Sequence, residues 1–292
     1  MRTYKDVPGD GGSDVLGQVL AQRERLAARL GSVKRLVAVM SGKGGVGKST
    51  VAAGLAAALA ARGDRVALLD ADLNGPSIPR ILGLPHAAPR LLEDGMAPVE
   101  GPFCVAVMST GFFLGQQAEP MRYEGPQDDA FTWRATAEAT TLRELLANTA
   151  WGARDWLLVD MPPGSERLPN VLALLPNLAG AIVVTLGSAV SLGVVARSVT
   201  AARERGVRML GLVENMAGAR CTSCGSVTPL FGRPGAAREA AEAMGVPFLG
   251  EIPFEHEVAA RLEAGRPMIL SRDEPVFAAH DALATALRRE LP

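Results

Sequence analysis

From Arg35 onward, short apolar runs alternate with alanine- and leucine-rich stretches. The runs "RLVAVM", "RVALLD", "CVAVMS", "WLLVD", "AIVVTL", "RMLGLV" and "PFLGEIP" are almost continuously apolar. That is the pattern of strands buried on both faces. Between several of them lie "STVAAGLAAALAARG", "ATTLRELLANTA", "LGVVARSVTAARERG" and "GAAREAAEAMG", whose composition and spacing suit helices. Strand then helix, repeated, predicts an α/β fold with a doubly wound, mostly parallel sheet. No linker interrupts the alternation, so residues 34–292 are expected to form one domain. Residues 1–33 read as a helical extension: "DGGSD" offers an N-cap, and Leu16, Val19, Leu20, Leu26 and Leu30 recur at helical spacing before Gly31. The proline- and glycine-richer stretch from Leu84 to Gln127 is expected to be irregular. The final "PVFAAHDALATALRRELP" reads as a docked helix rather than a lipid anchor, because it is rich in alanine and poor in bulky residues.

Composition narrows the class. The chain has 292 residues, 48% of them hydrophobic, enough for a large core. A formal net charge of −1 without a basic block argues against nucleic acid as the main partner, since that binding runs on phosphate neutralisation. The first residues hold no apolar secretory segment, and no apolar run reaches the roughly 20 residues of a membrane span. A cytoplasmic protein with no membrane partner is expected. Three cysteines, two of them close together, suit metal or redox chemistry in a reducing compartment better than a disulfide framework.

The strand "RLVAVM" runs directly into "SGKGGVGKST" and then into a strong helix. This fits the phosphate-loop pattern G-x-x-x-x-G-K-[ST], with Gly42, Gly47, Lys48 and Ser49 in register. The glycines let backbone N–H groups approach phosphate oxygens, and the helix points its positive end at the same place. Lys48 is expected to neutralise the terminal phosphates of ATP, and the Ser49 hydroxyl to ligate Mg²⁺. Gly42, Lys43, Gly44, Gly45, Val46, Gly47, Lys48, Ser49 and Thr50 together form the expected cradle. Two acidic strand ends accompany it. Asp160, closing "WLLVD", is placed to hold Mg²⁺ through water. Asp70 and Asp72 close "RVALLDAD", and Asp72 is the better candidate to orient the attacking water.

"SGKGGVGKST" resembles the deviant phosphate loop of the dimeric ATPases that include MinD-like and ParA-like positioning proteins, the nitrogenase iron protein and the Mrp-type (ApbC-like) iron–sulfur carriers. The segments "LLDADLNGPSIPRILG", "WGARDWLLVDMPPG", "GLVENMAG", "CTSC" and "FGRPGAAREAAEAMGVPFLGEIPF" resemble, in that order, the Mrp-type carriers over roughly Val33 to Leu270. The resemblance implies a homodimeric P-loop ATPase that hands an iron–sulfur cluster to apo-proteins. It implies that Lys43 crosses the dimer interface to phosphates bound by the other subunit, that Asn215 reads the adenine edge, and that Cys221 and Cys224 bind the cluster. Three loops depart from the family pattern: "PPGSERL", "TLGS" and "YEGP".

The spacing of Cys221 and Cys224 lets both sulfurs face one metal, yet a [4Fe–4S] cluster or a Cys₄ zinc site needs four thiolates. A two-fold dimer would bring two pairs together on its axis. Three readings of the pair stand: a bridging [4Fe–4S] cluster, a bridging zinc that staples the dimer of a MinD- or ParA-like positioning ATPase, and a redox dithiol. A nitrogenase-like electron donor would need a distant cysteine, and only Cys104 remains, in a stretch expected to be a buried strand. His86, His256 and His280 show no ligand spacing and read as surface or packing residues.

Overall fold

The computed structural model describes residues 15–113, 130–164, 171–221 and 223–292. The elements in chain order are α1 (Val15–Gly31), β1 (Val33–Ser41), α2 (Lys48–Ala61), β2 (Val66–Asp70), α3 (Ile78–Ile81), β3 (Arg90–Leu92), β4 (Gly95–Ala97), β5 (Val99–Glu100) and β6 (Ala106–Ser109). They continue with α4 (Ala130–Asn148), β7 (Arg154–Asp160), β8 (Leu178–Thr185), α5 (Ala189–Arg203), β9 (Met209–Arg220), β10 (Val227–Pro229), α6 (Ala236–Ala243), β11 (Phe248–Phe254), α7 (His256–Glu263) and α8 (Pro275–Glu290). Among the described residues no helix is long and apolar enough to cross a membrane.

Among the described residues nine strands form one sheet in the order β10-β9-β8-β1-β7-β2-β6-β5, with β11 pairing β9 as well. Only β5 and β10 run antiparallel to their neighbours. The doubly wound, mostly parallel sheet is therefore the observed architecture. Strand β7 returns between β1 and β2, while β8 and β9 extend the sheet the other way, so the order reverses around β1. Ligands in such sheets bind outside the carboxyl ends of the strands at this reversal. The phosphate loop leaves β1 there.

The central strands β1, β2, β6, β7, β8 and β9 alternate between two cores, which is why their runs read as continuously apolar. Val37, Val39, Leu68, Trp156, Leu158 and Ile182 face one layer, which includes α2, α7 and α8. Leu36, Ala38, Met40, Leu69, Leu157 and Val183 face the other, which includes α1, α4, α5 and α6. Helix α1 adds Leu26 and Leu30 to the second core, while Leu20 is exposed. The "DGGSD" cap lies outside the described residues.

Two expectations need correction. The stretch from Leu84 is not wholly irregular: β3 and β4 form a hairpin, and β5 lines the edge of β6. Cys104 is not in a buried strand. It is exposed, in a tight turn with φ 63°, because the chain bends at Pro102–Cys104 before β6 begins at Ala106. Phe103, also at positive φ, is held in that bend by its ring contact with Phe277 of α8, 5.8 Å between centroids.

The docked C-terminal helix is present as expected and explains the composition of α2. Helix α2 is buried almost all round, as a helix covered on its outer face must be. Its cover is α8, whose Val276, Phe277, Leu283, Ala284 and Leu287 are buried. The two meet so closely that a Cβ at Gly54 would lie 2.2 Å from the His280 ring. His280 Nδ1 lies 2.7 Å from the Val276 carbonyl oxygen, and burial pushes its pKa down to about 4. The unfolded chain takes up this proton near pH 6.5, so stability from this site is complete above that pH and is lost as pH falls towards 4. The loss is about 3 kcal/mol. His280→Leu should therefore gain on the wild type progressively as pH falls from 7 to 4 in urea denaturation. A difference between the two proteins that stays flat across that range would refute the assignment.

Candidate functional site

Ser41 and the loop from Lys43 to Thr50 line a cavity of about 280 Å³, together with Asp72, Gly75, Ser77, Ile81 and Pro163, whereas Gly42 packs against Val194 of α5. Helix α2 starts there without a side-chain cap, so its first N–H groups are left for a ligand. Gly47 precedes the helix at φ 78°, and a Cβ there would lie 2.1 Å from Asn215 Nδ2. Glycine is required on both counts. The loop is fixed from below, where Ser41 Oγ donates to the Lys43 carbonyl at 3.0 Å.

Lys48 is buried and forms an ion pair and hydrogen bond with Asp160, which is fully buried at the end of β7. Lys48 Nζ also donates to Ser49 Oγ at 3.4 Å, which sets the Ser49 hydroxyl beside this pair. The second oxygen of Asp160, Oδ2, is buried without a hydrogen-bond partner among the described residues. Asp70 sits beside Asp160 in the register of β2 and β7. It accepts from Ile78 N at 3.2 Å, Ser109 Oγ at 3.0 Å and Asp72 N at 3.2 Å. Burial, then the neighbouring Asp160 charge, pushes the Asp70 pKa up to about 7. Burial likewise raises that of Asp160, against the pull of Lys48. Two adjacent buried acids with one lysine make a site that holds a cation or a proton well. An unpartnered carboxylate oxygen beside the Ser49 hydroxyl is a fitting donor set for Mg²⁺. Asp72, half-buried, lines the same cavity.

Lys43 is half-buried and, among the described residues, has no ion-pair partner. Asn215 lies on β9, and its Nδ2 donates to the Val46 carbonyl at 2.9 Å. The expected adenine-reading amide thus already holds the phosphate loop in this structure. Its neighbour Glu214 is buried on the opposite face of the strand, with its pKa pushed up to about 7 by burial and then by Glu251. No motif singled out Glu214, since a lone acid in an apolar strand carries no sequence signature.

Strand β9 runs on past Asn215 to Arg220 and turns at the cysteines into β10. The turn is closed by Cys221 N donating to Ser226 O at 2.8 Å and Gly225 N donating to Cys221 O at 2.9 Å. Cys221 Sγ lies 3.0 Å from Ser223 Oγ, and Cys224 Sγ lies 3.1 Å from Ser226 Oγ. The Ser223 hydroxyl, the backbone N–H groups of Cys224 and Ser223, and the Cys224 thiol lower the Cys221 pKa to about 6. Such donors orient a thiolate for metal. The pair supplies two ligands only, for among the described residues no group of three His, Cys, Asp or Glu side chains is assembled around a metal position. Of the departing loops, "TLGS" caps α5 through Ser188. Residues 165–167 and "YEGP" lie outside the described residues.

A strand-to-helix phosphate loop and a two-cysteine turn thus stand on one sheet. The family described as ParA, the NUBPL iron-transfer P-loop NTPases, matches residues 32–288. The chain belongs to this family. Its relatives include the cytosolic Fe-S cluster assembly factor NUBP2 of Bos taurus, 41% identical over 90% of this chain and 95% of that one. The iron-sulfur cluster carrier protein of Saccharolobus solfataricus is 36% identical over 88% of this chain and 83% of its own length. Among solved structures, a nucleotide-binding protein of Archaeoglobus fulgidus in complex with ADP, with Co found, superposes with a TM-score of 0.72. It is 35% identical and covers 87% of this chain and 95% of its own. The iron-transfer P-loop NTPase family was thus legible in the motifs. The match begins one residue after α1 ends and one before the first strand of the sheet.

Proposed function

We propose that this protein is a cytoplasmic, ATP-hydrolysing carrier of iron–sulfur clusters that works as a homodimer. In this reading two copies share one [4Fe–4S] cluster between two Cys221/Cys224 pairs and pass it to apo iron–sulfur proteins. Residues 34–292 act as the ATPase domain, and residues 1–33 as its helical extension. The observation that carries the reading is the cysteine turn. It presents two thiols, one with a lowered pKa, at the end of the strand whose Asn215 holds the phosphate loop. A half-site of two thiolates binds metal far less tightly than four, so it is completed or undone by whatever moves two copies together. The same hairpin and the segment after it expose Val227, Leu230 and Phe231, an apolar rim suited to a second copy. The names of the relatives supply the class of cargo.

The loop residues divide the work on the nucleotide. Backbone N–H groups from Gly44 to Thr50 and the start of α2 hold phosphate oxygens, and Lys48 leaves Asp160 to neutralise them. Ser49, with Asp160 behind it, would hold Mg²⁺, which would supply neutralising charge for the phosphates. Asp72 orients the attacking water, and Lys43 of each copy reaches the phosphates bound by the other. Asn215 exchanges Val46 for the adenine edge.

Anaerobic purification with iron, sulfide and zinc analysis tests the cargo. About four iron and four sulfide per dimer, with broad absorption near about 400 nm, are expected; colourless zinc-loaded protein would overturn the reading. Sharing is tested by mixing. Dimers of wild type with Cys221→Ser should hold much less cluster than wild-type dimers, and undiminished occupancy per wild-type subunit would sink the shared site.

A further inference from the structure

Arg220, the last residue of β9, directly precedes the first cysteine and is tied in two directions. Its Nη1 donates to the Gly225 carbonyl at 3.4 Å, across the turn that carries both cysteines. Its Nε faces Glu255 Oε1 at 3.5 Å as an ion pair, and both atoms are buried without a hydrogen-bond partner among the described residues. Glu255 sits where β11 passes into α7 and lies in the field of Arg261 as well. Arg261 pairs with Glu274 at 2.5 Å, and Glu274 accepts the Leu270 and Ser271 N–H groups at 2.9 and 3.0 Å just before α8. An alternating chain Arg220–Glu255–Arg261–Glu274 therefore runs from the cysteine turn back into the body of the domain. An arginine on a hairpin ordinarily extends its head into water. This one is drawn inward, leaving 34% of its side chain exposed.

We propose that Arg220 is a positioning residue of the cargo site. Anchored by Glu255, it braces the Cys221–Gly225 turn in the shape that accepts metal, and its fixed positive charge offsets part of the negative charge of bound thiolates. The second half rests on the reading of the pair as an iron–sulfur site, whereas the brace acts on any metal the two thiols take. In the symmetric dimer each cluster would meet two such guanidinium groups, one from each copy.

Three variants of the full chain, Arg220→Gln, Arg220→Lys and Glu255→Gln, separate shape from charge. Lysine keeps the charge but loses the planar fork that spans two acceptors. The first measurement titrates Co²⁺ into reduced, anaerobic protein and follows the thiolate-to-cobalt absorption. The second measures the midpoint potential of the reconstituted cluster. Arg220→Gln should weaken Co²⁺ binding by about 10-fold to 100-fold, the usual cost of losing an outer partner of metal ligands. It should also move the potential to a more negative value, because a lost cation disfavours the added electron. Arg220→Lys should lose comparable cobalt affinity while keeping a near-wild-type potential, and Glu255→Gln should lose affinity in the same direction. Unchanged cobalt affinity in Arg220→Gln would overturn the brace, and an unchanged potential would overturn the charge role. Nucleotide affinity should remain at the wild-type value in all three; a parallel loss of it would reassign Arg220 to general folding. Wild-type protein that takes cobalt but no iron and sulfide would overturn the iron–sulfur reading alone, and the cobalt titration would still decide the brace.

Discussion

Lys48→Ala should lose nucleotide binding by about 10-fold to 100-fold, since a charged hydrogen bond to phosphate contributes about 1.5–3 kcal/mol. The same substitution should destabilise the nucleotide-free protein, because Lys48 compensates Asp160, a fully buried carboxylate. Removing one partner of a buried pair typically costs about 3–5 kcal/mol. The sign with pH follows from Asp160, whose folded pKa already stands above its unfolded value despite the lysine. Such a group favours the folded state below the unfolded pKa and weakens it as pH rises through the folded one. The penalty in Lys48→Ala should therefore be largest at neutral pH and shrink as the solution is acidified. Adding Asp160→Asn should recover much of the loss while nucleotide binding stays impaired. Urea denaturation of the two single variants and the double variant at pH 5 and pH 8 measures this. A double variant no more stable than Lys48→Ala at pH 8 would show that the pair is not what the lysine supports.

Lys43→Ala should behave in the opposite way, sparing stability and nucleotide affinity but not turnover. Lys43 has no ion pair among the described residues and is not needed to satisfy its own loop, which the Ser41 hydroxyl and the Lys43 backbone close without the side chain. A cation delivered across an interface to a transferring phosphoryl group is worth roughly 10³–10⁵ in rate. ATP hydrolysis per dimer should therefore fall by about 10³-fold or more, while the dissociation constant for ATP stays within about threefold. If Lys43 serves the opposite nucleotide as proposed, mixed dimers carrying one Lys43→Ala copy should retain one working site rather than none. A variant hydrolysing at the wild-type rate, or one whose ATP affinity collapses with its rate, would remove Lys43 from this role.

The central strands were legible because they are buried on both faces, which leaves an unmistakable run of apolar residues. The phosphate loop was legible because its backbone geometry demands glycines at fixed spacing, and Gly47 meets that demand at φ 78°. Cys104 was misread because a strand-like run, "CVAVMS", says nothing about where the hydrogen-bonded ladder starts. The turn at Pro102–Cys104 moved that start two residues on and left the thiol exposed. The hairpin of β3 and β4 was missed because its short strands are mostly surface and carry little hydrophobic pattern.

Sequence by itself determined the α/β class, the phosphate loop, the pair of cysteines and the family that joins them, since each follows from residues adjacent or regularly spaced along the chain. Tertiary structure decided the rest: that Lys48 rests on Asp160, that Asp70 and Asp160 stand side by side, and that the Asn215 amide holds Val46. It also decided that Arg220 is tied to Glu255 behind the cysteine turn. These pairs join residues far apart in sequence, and their strength depends on burial and distance, which exist only once the sheet has been assembled.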